Sequence, residues 1–247
     1  MCAFNTNTPG TLDWVRDVTG FAGSDTRLIG MDFRAKNGVL YGVGNWGGIY
    51  TLPTVPPANG TYPIVKVGQL SVALDGTSFG VDFNPAADRL RITSDTGQNL
   101  RHDVDLSSTV KDVPLTLNGA PAKGVTAAAY TNNDNNADTV TTLFDIDTVS
   151  DQVSIQAPAN NGTLSPTGKL VLTTGTGVDA GLNADADIFA DLSNGKTVSN
   201  TAFVTLLPSG GRQSFYTVDV LTGIVTLIGT FPSIAPVTDV AVTLDTN

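Results

Sequence analysis

A short motif recurs along the chain at regular intervals and limits the folds that the sequence can adopt. Gly30–Phe33 resembles Gly80–Phe83, Ala186–Ile188 and Thr238–Val240, and each copy contains one aspartate. A further copy, Ala128–Tyr130, has alanine in place of that aspartate. The equivalent positions 32, 82, 129, 187 and 239 are separated by 50, 47, 58 and 52 residues. Such separations match the length of a four-stranded propeller blade.

The segments between the motifs alternate apolar and polar residues and are bounded by Gly, Asn and Asp, as half-buried antiparallel strands require. We therefore predict an all-β chain in which residues 1–247 form a single β-propeller with five blades. The closing blade is shared between the termini: Thr238 to Leu244 is its innermost strand, and Cys2 to Asn5 and Leu12 to Val18 are its third and outermost strands. The alternative is a β-sandwich whose hairpins resemble one another by chance.

The charge of the chain excludes several classes of partner. All 23 acidic residues are Asp, and the formal net charge is −10. Nucleic acid and anionic membrane surfaces attract basic faces, so neither is an expected partner. Cations and neutral glycans fit this charge better. No apolar run is long enough to predict a membrane span.

One stretch of the second repeat carries a family resemblance. Phe79–Arg101 resembles the signature of an uncharacterised family of mostly bacterial, often secreted proteins, known as a domain of unknown function (4394). Ala127–Asn133, Thr142–Asp147 and Pro158–Leu164 are similar to it too, so the resemblance covers nearly the whole chain. The resemblance implies an extracellular or cell-surface location and gives no indication of an activity. Family members usually carry one more strand ahead of Phe4.

The repeated aspartates are the first candidate site. Innermost propeller strands line the central channel, so Asp32, Asp82, Asp187 and Asp239 are predicted to converge on the axis. Convergent carboxylates need a counter-ion, water or raised pKa values, which makes a calcium site the expected cofactor site. In the alternative reading, each aspartate bonds the backbone of the neighbouring blade.

A second candidate metal site lies in the polar run after the alanine copy of the motif. Asp134, Asn136 and Asp138 alternate as do the ligands in the first half of a Ca²⁺ loop, but the Gly and distant Glu of an EF-hand are missing. A polar hairpin tip is the alternative.

The third candidate site is a dense set of charged and amide side chains in the family signature, together with one tryptophan. Alternate strand residues share a face, so Arg89 and Arg91 are expected to project together and to recognise a carboxylated sugar or peptide. Trp46, in a glycine-rich turn, could stack on a sugar or fill space between blades. The alternative for the charged set is an ion-pair network that locks two blades together. The candidate ligand-binding residues are Asp88, Arg89, Arg91, Asp95, Gln98, Asn99, Arg101 and Trp46.

These features predict a non-catalytic extracellular propeller that binds a ligand or assembles with itself as a surface or filament component. The first alternative is a Ca²⁺-dependent, lactonase-like hydrolase with a channel ion, and the second is a glycan-binding module. Only 40 residues connect position 239 through the two termini to position 32, against at least 47 between the other motif copies. This shortfall predicts a closing blade without its second strand, and homo-oligomers formed by strand addition there.

Overall fold

The computed structural model describes residues 1–55, 58 and 60–247, and its regular structure is almost entirely β. The helical exception is a single 3₁₀ turn at Ala159–Asn161. Within the described residues, no helix is long and apolar enough to cross a bilayer. Three short strands precede the first large sheet: β1 (Cys2–Phe4), β2 (Leu12–Val15) and β3 (Asp17–Thr19). β1 and β2 pair antiparallel as a separate two-stranded sheet, which we call the terminal hairpin.

Four larger sheets follow as blades, each with its first strand innermost. Blade one contains β4 (Leu28–Arg34), β5 (Val39–Gly44), β6 (Gly48–Leu52) and the outer strand β8 (Val65–Gln69). The short strand β7 (Thr61–Pro63) lies between β6 and β8 in the chain and pairs with β3 instead. Blade two contains β9 (Phe79–Asn84), β10 (Arg89–Ser94), β11 (Asn99–Asp103) and β12 (Ser108–Lys111).

Blades three and four carry additional edge strands. In blade three, β13 (Thr116–Leu117) and β14 (Ala120–Pro121) extend the sheet of β15 (Val125–Tyr130), β16 (Leu143–Asp147), β17 (Gln152–Gln156) and β18 (Thr163–Lys169). In blade four, β19 (Val171–Leu172) extends the sheet of β20 (Asp185–Ser193), β21 (Lys196–Leu206), β22 (Ser214–Val218) and β23 (Ile224–Thr230).

The blades form a propeller-like ring because apolar side chains fill the space between neighbouring sheets. One core lies between blades one and two and includes Val43, Val81 and Ile92, and another lies between blades three and four. The inner strands lie at the centre of this ring and are buried on both faces, as β15 is along its whole length. Outer strands such as β8 alternate exposed and half-buried residues. The alternation of apolar and polar residues in a strand therefore indicates how far that strand lies from the axis.

The prediction of five blades is wrong in number, since the structure has four. Residues 238–244, called the closing segment below, lie beside β20 but have no strand assignment, whereas an innermost strand was predicted there. The predicted third and outermost strands do form, as β1 and β2, and pair only with each other. The physical reason is that no second strand lies between the closing segment and β1, so the two cannot join in one hydrogen-bonded sheet.

Gly80 shows how closely the inner strands approach one another. A Cβ atom on this residue would lie 2.4 Å from the backbone nitrogen of Ala128 and 2.6 Å from the carbonyl carbon of Ala127 in blade three. We expect Gly80→Ala to lower the free energy of unfolding by about 1–3 kcal/mol, because the blades must separate. Gly177→Ala is the matched control, since its Cβ would meet no atom within 4 Å. Equal urea midpoints for the two variants would refute this explanation.

Candidate functional site

Three of the four repeated aspartates meet on the axis of the ring. One carboxylate oxygen from each of Asp32, Asp82 and Asp187 lies within 4.8 Å of the other two. The three residues come from the inner strands of blades one, two and four, and each is about 2 % exposed or less. This convergence was predicted from the motif spacing.

The same carboxylates also accept backbone hydrogen bonds, as the alternative reading anticipated. Asp32 accepts the N–H of its own neighbour Phe33 at 2.6 Å and that of Phe83 in blade two at 2.7 Å. Asp82 accepts the N–H of Tyr130 in blade three at 3.0 Å. These bonds tie each blade to the next near the axis. They occupy part of the acceptor capacity of the carboxylates, since each oxygen has two lone pairs.

Asp239 is placed differently from the other repeated aspartates. The closing segment is held to β20 by Asp185, which accepts the N–H of Val240 at 2.8 Å, and by Asp187, which accepts that of Val242 at 2.5 Å. In this register Asp239 lies beside Asp185, and the two side chains interact directly. Asp185 was not among the candidate ligands. Its spacing of two residues from Asp187, on the same face of one strand, is the signal that could have identified it.

Burial and mutual repulsion raise the pKa values of all five axial carboxyls. Burial is the largest cause for Asp32 and Asp82, followed by the negative charge of Asp187 on the first and of Asp32 on the second. Burial raises the pKa of Asp187 to about 6, against the opposing effect of two backbone N–H donors. The pKa values of Asp185 and Asp239 are raised by burial too. The axis therefore concentrates acidic groups that need protons or a cation.

The second candidate metal site forms a hairpin tip fastened to blade four. Asp134 accepts hydrogen bonds from the backbone N–H and the hydroxyl of Thr197, at 2.9 and 2.7 Å. It also accepts the N–H of Asn136, whose own side chain accepts the N–H of Asp138 at 2.9 Å. These side chains thus cap the backbone of the tip, and Asp138 is exposed.

Part of the charged set in the family signature links blades: Arg91 and Asn99 reach Tyr130 and residues 159 and 160 of blade three, whereas the other contacts of the arginines lie within blade two. Arg91 is 2 % exposed and contacts Asp112 at 2.7 Å and Asn99 at 2.7 Å. Arg101 binds the same Asp112 carboxylate. Arg89 lies farther out and pairs with Asp103 at 2.9 Å.

The remaining candidates of this set are dispersed. Asp88 is bound by both Nε and Nη2 of Arg34 in blade one, at 2.6 and 2.5 Å. Asp95 accepts two hydrogen bonds from Thr77, and Gln98 bonds the backbone of residues 73 and 75. Trp46 is 66 % exposed in the turn between β5 and β6, so its ring is available for contact and does not fill space between blades. Sequence reasoning missed Arg34, Asp105 and Asp112, whose partners lie in other strands or blades and follow no repeat.

A concave surface lies between the closing segment and the terminal hairpin. It is a cavity of about 700 Å³, called the closing groove below. Its lining is mainly apolar and aromatic, and Trp14 stacks on Tyr62 there with ring centroids 5.4 Å apart. The apolar lining residues include Met1, Cys2, Ala3, Phe4, Trp14, Val18, Phe21, Leu28, Met31, Phe33, Val240, Ala241 and Val242.

Backbone groups along the closing groove are free of sheet pairing. Residues 236–246 make no backbone-to-backbone hydrogen bond with any residue that the structure describes. β1 pairs with β2 along one edge, and its other edge has no paired strand. The closing groove therefore has the free edge of β1 on one side, the unpaired backbone of the closing segment on the other, and apolar walls, which is an arrangement that can accept an extended peptide.

Comparison with known proteins adds distant similarities of shape. Hydrazine synthase of Kuenenia stuttgartiensis is 9% identical over 84% of this chain, with a TM-score of 0.47. The match covers 50% of the hydrazine synthase chain, so this chain spans about half of that protein's length. Glutaminyl cyclase of Myxococcus xanthus is 16% identical over 77% of this chain and 73% of that chain, with a TM-score of 0.41. The computationally designed Ika8 protein is 12% identical over 85% and 63%, with a TM-score of 0.30.

At these TM-scores the similarities carry no argument about function. None of the curated proteins matches the chain. A family model matches residues 1–241, which include the axial aspartates, the arginines of the family signature and most of the closing groove. The chain therefore belongs to the family described as Domain of unknown function (DUF4394).

Proposed function

We propose that this chain is a non-catalytic extracellular β-propeller that assembles with copies of itself, each copy accepting a strand of another in its closing groove. The observation that carries the proposal is the closing groove, with the free edge of β1 on one side, the unpaired backbone of the closing segment on the other, and apolar walls. An extended strand placed there would join the closing segment and the terminal hairpin in one sheet. Its main-chain hydrogen bonds would supply affinity, and alternate side chains would enter the apolar walls.

The hydrogen bonds of the closing segment use the N–H groups on one side of its backbone, so those on the other side are free to pair with such a strand. The N–H groups of Val240 and Val242 point to blade four, where Asp185 and Asp187 accept them. Backbone N–H groups alternate in direction along an extended chain, so those of Asp239, Ala241 and Thr243 point the opposite way. An unpaired edge of this kind is a template for strand addition.

The charge of the chain sets the conditions for assembly. Each copy carries a formal charge of −10, so two copies repel each other at low ionic strength. Added salt screens this repulsion and leaves the apolar and hydrogen-bonded contacts of the closing groove in place. Assembly is therefore expected to strengthen between low salt and about 0.15 M salt.

The surroundings of the sole histidine support a non-catalytic role. His102 is completely buried, and its Nδ1 atom contacts the hydroxyl of Thr109 at 3.0 Å. Burial lowers its pKa, so the ring is held neutral in the interior. A buried ring without access to a cleft is poorly placed to act as a general base.

Cys2 provides a reporter for occupation of the closing groove. It is the only cysteine of the chain, it lines the closing groove, and it is partly exposed. Burial raises the pKa of its thiol, so labelling rates must be compared at one pH. A strand bound in the closing groove is expected to slow the reaction of Cys2 with a maleimide.

The test compares the chain with a variant that carries one added amino-terminal strand, a copy of Phe215 to Asp219 joined by a short flexible linker. Sedimentation velocity is expected to show concentration-dependent association of the unmodified chain and monomers of the variant, whose own strand fills the closing groove. An added Gly-Ser segment of equal length is the matched control and should leave association and Cys2 labelling unchanged. An unmodified chain that stays monomeric at high concentration, with freely reactive Cys2, would overturn the proposal.

A further inference from the structure

We propose that the axis of the propeller binds one Ca²⁺ ion, held directly by Asp32, Asp82 and Asp187, with Asp185 and Asp239 adding negative charge beside it. This inference is independent of strand assembly at the closing groove. It rests on two separate observations, the spacing of the three carboxylates and an unpartnered oxygen next to them.

The spacing of the three carboxylates suits calcium. Their oxygens lie within 4.8 Å of one another. Oxygen ligands lie about 2.3–2.6 Å from Ca²⁺, so two ligands of one ion are at most about 4.6–5.2 Å apart, and the three carboxylate oxygens satisfy this limit. Ca²⁺ also tolerates irregular coordination, whereas Mg²⁺ requires nearly octahedral geometry. Three carboxylates from three inner strands can thus share one Ca²⁺ ion without separating the blades. The remaining coordination positions would be filled by water, as calcium sites allow.

An unpartnered oxygen of Asp185 is the second observation. Asp185 is 3 % exposed, and no N–H or O–H group of the described residues donates to its Oδ1 atom, while Oδ2 accepts the N–H of Val240. Its other neighbour is the carboxyl of Asp239, so either a proton shared between these two carboxyls or a cation must satisfy this oxygen. Asp185 lies two residues before Asp187 on the same face of β20, which places it beside the group of three. A buried carboxylate oxygen without a partner is costly unless a cation or proton satisfies it.

The strongest charge effects on the axial carboxyls come from one another. The charged side chains with the largest effects on the pKa values of these five groups are other members of the same five. Buried carboxylates in proteins are normally paired with a cationic side chain or with a metal ion. A divalent cation is a partner that suits several convergent carboxylates.

A small cavity lies at the edge of this cluster. It has a volume of about 90 Å³, and its lining includes Arg27, Thr77, Asn183 and Asp239. Asp239 also lines the closing groove. The ion would therefore enter beside the closing segment, whose backbone is already bound by Asp185 and Asp187.

The test measures calcium bound to the purified full chain after exhaustive chelation. Isothermal titration calorimetry and metal analysis after dialysis are expected to give one Ca²⁺ per chain, with weaker binding of Mg²⁺. At a hundredfold excess over Kd, the Tm should rise by roughly 5–10 °C above its value in chelator. Asp82→Asn and Asp187→Asn keep an acceptor for the backbone N–H groups and remove a charge, so each should abolish binding.

Asp13→Asn is the matched control, because Asp13 is an exposed aspartate of β2, outside both candidate metal sites. It should leave both the stoichiometry and the calcium-dependent rise in Tm unchanged. A variant that fails to fold is recognised by its circular dichroism spectrum and is replaced by Asp185→Asn. The proposal is overturned if calcium neither binds the unmodified chain nor changes its Tm. In that case Asp82→Asn should raise the Tm equally in calcium and in chelator, because protons alone neutralise the axial carboxylates.

Discussion

Arg91→Ala is expected to lower the free energy of unfolding by about 3–5 kcal/mol, because it leaves buried polar groups without their partner. The guanidinium contacts Asp112 in blade two, Tyr130 of blade three at 3.2 Å, and Asn160 of the 3₁₀ turn at 2.9 Å. Asp112 would keep only its contacts with Arg101, which is itself about one-third exposed. Urea unfolding followed by tryptophan fluorescence measures the loss.

Arg89→Ala is the matched control, since Arg89 is two residues away on the same strand. Its side chain is 37 % exposed and pairs with Asp103, so its removal is expected to cost at most about 1 kcal/mol. Arg91→Lys should recover little stability, because an ammonium group cannot reproduce the planar set of donors that reaches four partners. Equal losses for the alanine variants of Arg89 and Arg91 would refute the blade-locking role of Arg91.

In chelator, the chain is expected to be most stable at or just below about pH 4, to be losing stability already at pH 5, and to have lost several kcal/mol by pH 8. Burial raises the pKa of Asp145 to about 8 and that of Asp187 to about 6, whereas both titrate near 3.8 when unfolded. The folded state thus binds more protons than the unfolded state between these values. Its extra stability is fully present below the unfolded pKa and is lost as pH rises through the folded pKa.

Asp145→Asn should flatten the part of this profile between pH 6 and 8. Neither carboxylate oxygen of Asp145 has a hydrogen-bond partner among the described residues, so the neutral amide removes a buried charge without removing a bond. Calcium should flatten the axial part of the profile and leave the Asp145 part unchanged. Stability in chelator that is constant or rises from pH 5 to 8 would contradict the assigned pKa values. The measurement is urea unfolding at fixed ionic strength across this range.

The period of the repeat located the inner strands and the axial cluster because each motif copy occupies the same place in its blade. The repeat placed Asp239 incorrectly. The motif aligns Asp239 with Asp187, whereas the hydrogen bond from the N–H of Val240 to Asp185 places Asp239 beside Asp185. A shift of two residues keeps a side chain on the same face of a strand, so alternation alone cannot detect it.

The contacts between blades were beyond prediction for a different reason. Arg34 binds Asp88 and Asp105, which are 54 and 71 residues away in sequence, and neither pair follows the repeat. The expectation that Arg89 and Arg91 share a face does not reveal how deep each one lies, and depth decides which of them holds two blades together. The number of blades was overestimated because no strand lies between β1 and the closing segment. Without it the two termini do not form the sheet of a fifth blade.

The attachment of the closing segment determines how the ring responds to mechanical force. Neighbouring strands within each blade are joined by a ladder of backbone bonds, but the closing segment is held to blade four by two carboxylates that accept the N–H groups of Val240 and Val242. Tension on the carboxyl end loads first the bonds of Asp245 and Asn247 to the N–H groups of Leu192 and Gly195 and then these two bonds, one after the other, which is peeling rather than shear. The ring would therefore open at this seam under low force while the four blades stay folded.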